Sequence, residues 1–332
     1  MTLRILLPTT GDWAEITSHA KLADQLGYES INCSHITARD SFTTLAGLAS
    51  AAPRVALGTA VVPIYQRSPA TMAQTAATLD DLSGGRFRLG LGTGHRTTMA
   101  DWHAQEIDKP LVEMREYVAA VRALWGGQPA PGPRWPPTFP FVGFTPRQDI
   151  PIYLAGLSRG MIRLAAEIAD GVVLWACPSS YVREVVVPEV AAGRRAAGKD
   201  PASFDVVAAV PTASGDTDVA FAGIRDELHR YFSLPFYRAM FAAAGYAADV
   251  ASYDAAAGNR EAQLAAIGES FLQDLCAIGD TSAVAGAIQR YREAGAVNPM
   301  LTHIRGTDFA ATLRAAAAGD HAAQPADTAT GS

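Results

Sequence analysis

Asp80-Asp81-Leu82-Ser83-Gly84-Gly85-Arg86-Phe87-Arg88-Leu89-Gly90-Leu91-Gly92-Thr93-Gly94-His95-Arg96 is the stretch whose reading decides the fold. A helix ends at Ser83-Gly84-Gly85, where glycine accepts the left-handed backbone that a helix C-terminus needs. Phe87 to Gly92 then reads as a buried strand that stops in a glycine-rich turn and presents His95 and Arg96. A strand that delivers ionisable side chains to its own C-terminal edge is how a parallel α/β barrel builds an active site. Gly90, Gly92 and Gly94 let a flat group approach the backbone closely.

Upstream, short apolar runs at Leu3–Pro8, Ser30–Ser34 and Val55–Val62 alternate with helical spacing at Trp13–Leu26, Phe42–Ala52 and Pro69–Leu82. Asp40 or Ser41 caps the second helix, and Pro69 sits in the first turn of the third. Downstream, strands are expected at Ile152–Ala155, Val172–Ala176, Phe204–Val210 and Met300–Ile304. Helices are expected at Leu111–Trp125, Met161–Ala169, Tyr181–Ala197, Thr281–Gly295 and Phe309–Ala317. Gly126 to Pro151 reads as a long packed loop. Asp218 to about Ala277 is mostly helical and reads as an insertion between strands seven and eight. Eight strands alternating with helices predict a (β/α)8 TIM barrel over residues 1–318, followed by a disordered tail, 319–332. Spacing alone also allows an open doubly wound sheet.

The chain of 332 residues is 49% hydrophobic and 18% charged, enough apolar material for a sizeable core. Its formal net charge of −6, with no basic run, argues against a nucleic-acid partner. Cys33, Cys177 and Cys276 are far apart and odd in number, which suits a reducing cytoplasm rather than a disulfide framework. The apolar run at the N-terminus is too short for a signal peptide, and no segment approaches a membrane span.

Three motifs invite chemistry. Gly156-Leu157-Ser158-Arg159-Gly160 fits the nucleophile elbow G-x-S-x-G, with Asp280 and His303 following in hydrolase order, but no HGGG-like oxyanion stretch precedes it. The same turn could cradle a phosphate at a helix N-terminus, or be a tight turn with Ser158 as N-cap. Gly90-Leu91-Gly92-Thr93-Gly94 lacks the Rossmann spacing and does not argue for a nicotinamide site. Among seven histidines, His35 and His95 each fall just after a barrel strand, where catalytic groups gather. No His or carboxylate spacing suggests a metal.

With these residues in view, the chain resembles the luciferase-like monooxygenase superfamily of flavin- and deazaflavin-dependent oxidoreductases. The resemblance lies in Leu79 to Arg86 with Leu89 to Gly94, and in Arg67-Ser68-Pro69-Ala70 with Ala73. It extends to Ile152 to Gly156 with Ala169 to Val172, and to Ile278 to Thr281 with Ala294-Gly295. Within the superfamily it is most similar to the coenzyme F420-dependent branch that includes the methylenetetrahydromethanopterin reductases. The resemblance implies a barrel with the cofactor at the C-terminal strand ends and a non-proline cis peptide at Ala60–Val61. It places Thr93 and Gly94 beside the ring with Ala60 and Val61, and the phosphate on Ala155, Gly156, Leu157, Ser158, Arg159 and Gly160. Trp175, after strand six, would wall the pocket. His95 stands where the branch can carry an acid/base carboxylate, and Ser34-His35-Ile36 stands where the family often shows an Asp-His pair.

The expectation is an oxidoreductase that moves a hydride between F420 and a small organic substrate, with His95 and His35 as proton donors or acceptors. An FMN-dependent monooxygenase fed by a partner flavin reductase is the nearest alternative. A serine hydrolase using Ser158 and a non-catalytic ligand-binding barrel stand behind it. The resemblance also allows a homodimer.

Overall fold

The computed structural model describes residues 3–132, 135 and 138–323. Eight strands follow the expected order: β1 (Arg4–Leu6), β2 (Ser30–Cys33), β3 (Ala56–Thr59), β4 (Phe87–Gly92), β5 (Ile152–Ala155), β6 (Gly171–Trp175), β7 (Asp205–Ser214) and β8 (Met300–His303). Each is parallel to the next, and β8 pairs back onto β1 with Met300 opposite Arg4. The sheet therefore closes into a TIM barrel, and the open-sheet alternative falls away.

The strands read as apolar runs because both of their faces are covered. Ile5, Ile31, Leu57, Leu89, Ile152, Val172 and Leu301 are fully buried in the main core shared with the surrounding helices. Val207, Ala209 and Met300 form a smaller cluster with Leu6, Ala60, Tyr153, Val173 and Trp175 inside the barrel. Helix Trp13–Gln25 is capped by Asp12, and helix Ser41–Leu48 by Asp40, whose carboxylate accepts from the Thr43 N–H. No helix among the described residues is long and apolar enough to cross a membrane.

The N-terminal end of the barrel is closed by charge. Arg4, only 4% exposed, donates to Glu29 and, at 2.5 Å, to Asp205. Arg88 donates to the same Glu29 at 2.7 Å, and the Tyr153 hydroxyl donates to Asp205 at 2.9 Å. Gly171 leaves space for this tyrosine, because a Cβ there would collide with the Tyr153 ring. This network leaves the opposite, C-terminal end of the barrel as the open mouth.

Several expected boundaries shift. The third strand splits: β3 ends at Thr59 and a short piece, Val62–Pro63, rejoins β4. The turn after Gly94 passes directly into a helix, Arg96–His103, whose polar residues carry little apolar period and hid it from pattern reading. The seventh strand runs on to Ser214, because Ala277–Gly279 pairs alongside its end. The expected insertion lies between β7 and β8, and includes the helices Thr217–Phe232, Pro235–Phe241, Ala247–Ala255, Arg260–Ala265 and Glu269–Leu275. The last helix runs to Ala323, so the first residues of the expected tail are helical. Residues 324–332 lie outside the described residues.

Arg4→Met should lower stability by roughly 2–3 kcal/mol in urea denaturation, because it removes the cation shared by two partly wetted carboxylates in the barrel floor, leaving Glu29 with Arg88 and Asp205 with the Tyr153 hydroxyl. Burial alone would raise the Glu29 pKa, but Arg4 and Arg88 outweigh it and hold it below the ordinary 4.5. Its contribution is thus present above that pH and lost as the pH falls through the depressed folded value. Glu29→Gln should flatten the acid limb of a melting-temperature profile below pH 4.5; an unchanged acid limb would contradict the assignment.

Candidate functional site

The site begins with a mismatch between two strands. Gly58 lies opposite Arg88, and pairing resumes with Val62 opposite Leu91. Residues 59–61 therefore face only 89 and 90, a one-residue bulge. Thr59 bridges the gap with its side chain. Its hydroxyl donates to the Gly90 carbonyl at 2.9 Å and accepts the Gly90 N–H at 2.8 Å. The Ala60 N–H turns to the Cys33 carbonyl at 2.9 Å. The Ala60–Val61 peptide is cis, as the resemblance implied. Beneath it, a Cβ on Gly90 would collide with the Thr59 carbonyl, and one on Gly92 would lie 2.6 Å from Val61 Cγ2.

Beyond β4, Thr93 is half-buried and Gly94 has φ of +71°, so the chain turns sharply before His95. His95 is the N-cap residue of helix Arg96–His103, and its half-buried ring lies 5.9 Å from the ring of Tyr237. Burial lowers the His95 pKa, and the nearby Arg230 cation lowers it further. His35, after β2, accepts the Ser41 N–H on Nδ1 at 3.3 Å, which assigns its proton to Nε2. Burial, and then the positive charge of Arg67, lowers its pKa against the pull of Asp40. Asp40 is itself held by Arg67 at 2.6 Å. Both histidines are therefore neutral imidazoles at neutral pH. His35 also lines a polar cavity of about 390 Å³ with Tyr65, Gln66, Arg67, His103 and Gln105.

Across the mouth, the Gly156–Gly160 turn leads from β5 into helix Arg159–Ile168. Gly156 permits close packing, since a Cβ would lie 2.9 Å from Val172 Cγ2. Ser158 is the N-cap and accepts the Met161 N–H. The Leu157 carbonyl accepts from the Tyr181 hydroxyl at 2.9 Å. Arg159 reaches away to Glu189 at 2.7 Å, so what this turn offers a ligand is backbone rather than guanidinium. Trp175 is the last residue of β6 rather than a loop residue, and packs inside the barrel.

The insertion supplies an aromatic wall to the mouth. Tyr231 lies 5.7 Å from Trp175 and 4.7 Å from Tyr237, ring to ring, so aromatic contacts run from β6 across the insertion to His95. Buried Phe232, Phe241 and Phe271 form an aromatic core behind this wall, with centroids 4.7–5.4 Å apart. Asp274 ties the insertion back to the helical run after β6. It accepts from the hydroxyls of Ser179, Ser180 and Tyr246. The hydroxyl of Thr302, near the end of β8, is buried without a hydrogen-bond partner, and the buried indole N–H of Trp175 faces the Tyr231 hydroxyl.

The expected residues thus gather at one end of the barrel, each at or just after a strand end: His35 after β2, Ala60 and Val61 after β3, Thr93 to His95 after β4, Ala155 to Gly160 from β5, and Trp175 on β6. The hydrolase trio does not form. Ser158 caps Met161, Asp280 caps Ala283, and His303 bonds the Thr307 carbonyl and packs on Phe309. No hydrogen bond joins the three among the described residues.

Comparison with known proteins gives concordant matches. A family model described as luciferase-like monooxygenase matches residues 1–298. A 5,10-methylenetetrahydromethanopterin reductase of Methanolobus tindarius is 34% identical over 225 residues, 67% of this chain and 68% of that protein. A putative coenzyme F420-dependent oxidoreductase of Mycobacterium tuberculosis is 35% identical over 172 residues, 46% of this chain and 50% of its own length. Among solved structures, the coenzyme F420-dependent tetrahydromethanopterin reductase of Methanopyrus kandleri superposes with a TM-score of 0.79 at 21% identity, covering 95% of this chain and 97% of that one.

His95 should titrate below 6.5 when followed by NMR of labelled imidazole. Arg230→Gln should move its pKa upward only part of the way, because burial is the larger cause. A His95 that titrates at or above 6.5 would show that the mouth does not hold it neutral.

Proposed function

The chain belongs to the luciferase-like monooxygenase family, and on that premise we propose that it transfers a hydride between coenzyme F420 and a small organic substrate. The membership and the similar curated reductases support an oxidoreductase. The observation that carries the cofactor reading is the seat at the barrel mouth. There Val61 lies over Gly92, where any side chain would strike it. One buried polar atom on the inner face of β8, Thr302 Oγ1, is left for a ligand to meet. A flat heterocycle with polar edges fits such a seat.

When bound in its reduced form, the deazaflavin supplies a hydride. The protein's own residues do the rest. Ala60, Val61, Thr93 and Gly94 would pack about the ring, and Trp175 would wall the pocket. Within the turn Ala155 to Gly160, backbone N–H groups at the helix N-terminus would hold the phosphate, a position that favours an anion, while the Gly156 N–H is spent on the Val173 carbonyl. His95, neutral at working pH, accepts a proton at the reacting centre, and His35, whose Nδ1 is engaged by the Ser41 N–H, donates a hydrogen bond from Nε2. A neutral imidazole with a lowered pKa suits proton removal, as in alcohol oxidation, better than proton delivery. Tyr231 and Tyr237 close the mouth from the insertion and limit water at the reacting atoms. The substrate is a small molecule with a C=O, C=N or C=C bond, or the corresponding alcohol or amine.

The second reading keeps the seat and exchanges the cofactor: an FMN-dependent monooxygenase served by a separate flavin reductase. The family description supports it.

A fluorescence titration of the purified protein with F420 and with FMN tests the choice. Saturable F420 binding at least tenfold tighter than FMN is expected, and binding of FMN alone would transfer the protein to the second reading. His95→Ala should keep F420 affinity within about threefold and slow alcohol oxidation by roughly 10²–10⁴-fold, the usual range for losing a positioned acid or base. Unchanged turnover would remove His95 from the chemistry.

A further inference from the structure

Helix Thr217–Phe232 lies across the barrel mouth and turns a carboxylic acid inward. At helical spacing, residues 220, 224, 227, 228 and 231 fall on one side of this helix. Ala220, Ile224 and Leu228 of that side are fully buried. The helix is anchored at two points, one turn either side of Glu227. Toward its start, Gly223 abuts the end of β8, where a Cβ would collide with the Arg305 carbonyl and lie 3.1 Å from Ile304. Toward its end, Tyr231 packs on Trp175 of β6. Glu227 thus stands between the C-terminal ends of β8 and β6.

Glu227 is half-buried and makes no hydrogen bond or ion pair among the described residues. Arg305, the nearby cation, directs its guanidinium to Asp226 at 4.0 Å. On the inner face of β8, at the same end of the barrel, the Thr302 hydroxyl is buried and unpartnered. A partly desolvated, unpaired carboxyl favours holding a proton or meeting a ligand. No packing need on this helix explains a glutamate in the middle of its apolar side.

We propose that Glu227 is the acid that protonates the substrate in the reductive direction. The inference rests on the hydride-transfer reading above. A hydride arriving at the electron-poor carbon of a C=O or C=N bond drives the π pair onto oxygen or nitrogen. That atom takes the proton of Glu227 as the carboxylic O–H bond breaks. The products are the alcohol or amine, the oxidised cofactor and a Glu227 carboxylate, which regains its proton from solvent. In the reverse direction the carboxylate accepts the proton.

The charges around Glu227 agree with this role. Burial pushes its pKa from 4.5 up to about 7, with Arg305 opposing and Asp226 assisting. Tyr231 on the same helix and Cys276, just before Ala277–Gly279, also sense its charge. The mouth therefore pairs a carboxyl with a raised pKa and imidazoles with lowered ones, the separation that divides acid and base work between groups.

The test compares wild type with Glu227→Gln by two readouts. Infrared titration of protein labelled with 13C-glutamate, without cofactor, should show one protonated carboxyl band that disappears with a midpoint near 7 and is missing in the variant. The variant should bind F420 within about twofold of wild type. It should reduce the best acceptor of a ketone, enone and imine panel roughly 100-fold more slowly, without the wild-type loss of rate as pH rises through 7. A wild type that binds cofactor but shows no such band, or a variant that reduces at the wild-type rate, overturns the role of Glu227 alone. A wild type that binds neither F420 nor FMN overturns the hydride-transfer reading, and this role with it.

Discussion

Strand β4 has no side chain at Gly90, and the barrel mouth depends on that gap. The Thr59 carbonyl occupies the space a Cβ would need, and the Thr59 hydroxyl satisfies both backbone groups of Gly90. Buried backbone groups must be paired, so a strand cannot leave its neighbour without a substitute. Thr59 is that substitute. It lets β3 release one residue, raise Ala60 and Val61 to the mouth, and rejoin β4 at Val62. A larger residue at position 90 would restore neither the ladder nor the bulge.

The rest of the mouth is arranged on that seat by packing and charge. The floor network of Arg4, Glu29, Arg88, Asp205 and Tyr153 closes the far end, so ligands have one way in. The insertion keeps its shape through its phenylalanine core and through the bonds of Asp274, and carries Tyr231, Tyr237 and Glu227 over the opening. Cations stand near the histidines: Arg230 near His95 and Arg67 near His35. Burial, assisted by these cations, keeps both rings neutral, and burial likewise favours the uncharged, protonated form of Glu227.

Much of this was legible in the chain. The Ser83-Gly84-Gly85 stop, the Phe87–Gly92 strand and the placement of His95 after it survive in the structure because they are local. Ser158 reads as an N-cap and is one. Helix Arg96–His103 was missed because its residues carry little apolar periodicity, and its stability comes from docking. The helix expected from Thr281 begins there, capped by Asp280, which accepts the Ala283 N–H. The G-x-S-x-G pattern misleads: Ser158, Asp280 and His303 have the right order, but each is spent on a neighbour in its own segment.

By itself the sequence determined the alternation of eight strands and helices, the insertion between the seventh and eighth, and the polar turn and glycine turn that put His35 and His95 at strand ends. Those features follow from periodicity and from backbone freedom, which act over a few residues. Only the tertiary structure decided that the sheet closes, that β3 bulges over Gly90, that both histidines are neutral, and that Glu227 faces the mouth. These depend on pairs far apart in the chain, such as Arg4 with Asp205, Arg230 with His95 and Tyr231 with Trp175. Burial and electrostatic fields are set by which distant residues become neighbours, and a linear pattern does not contain that information.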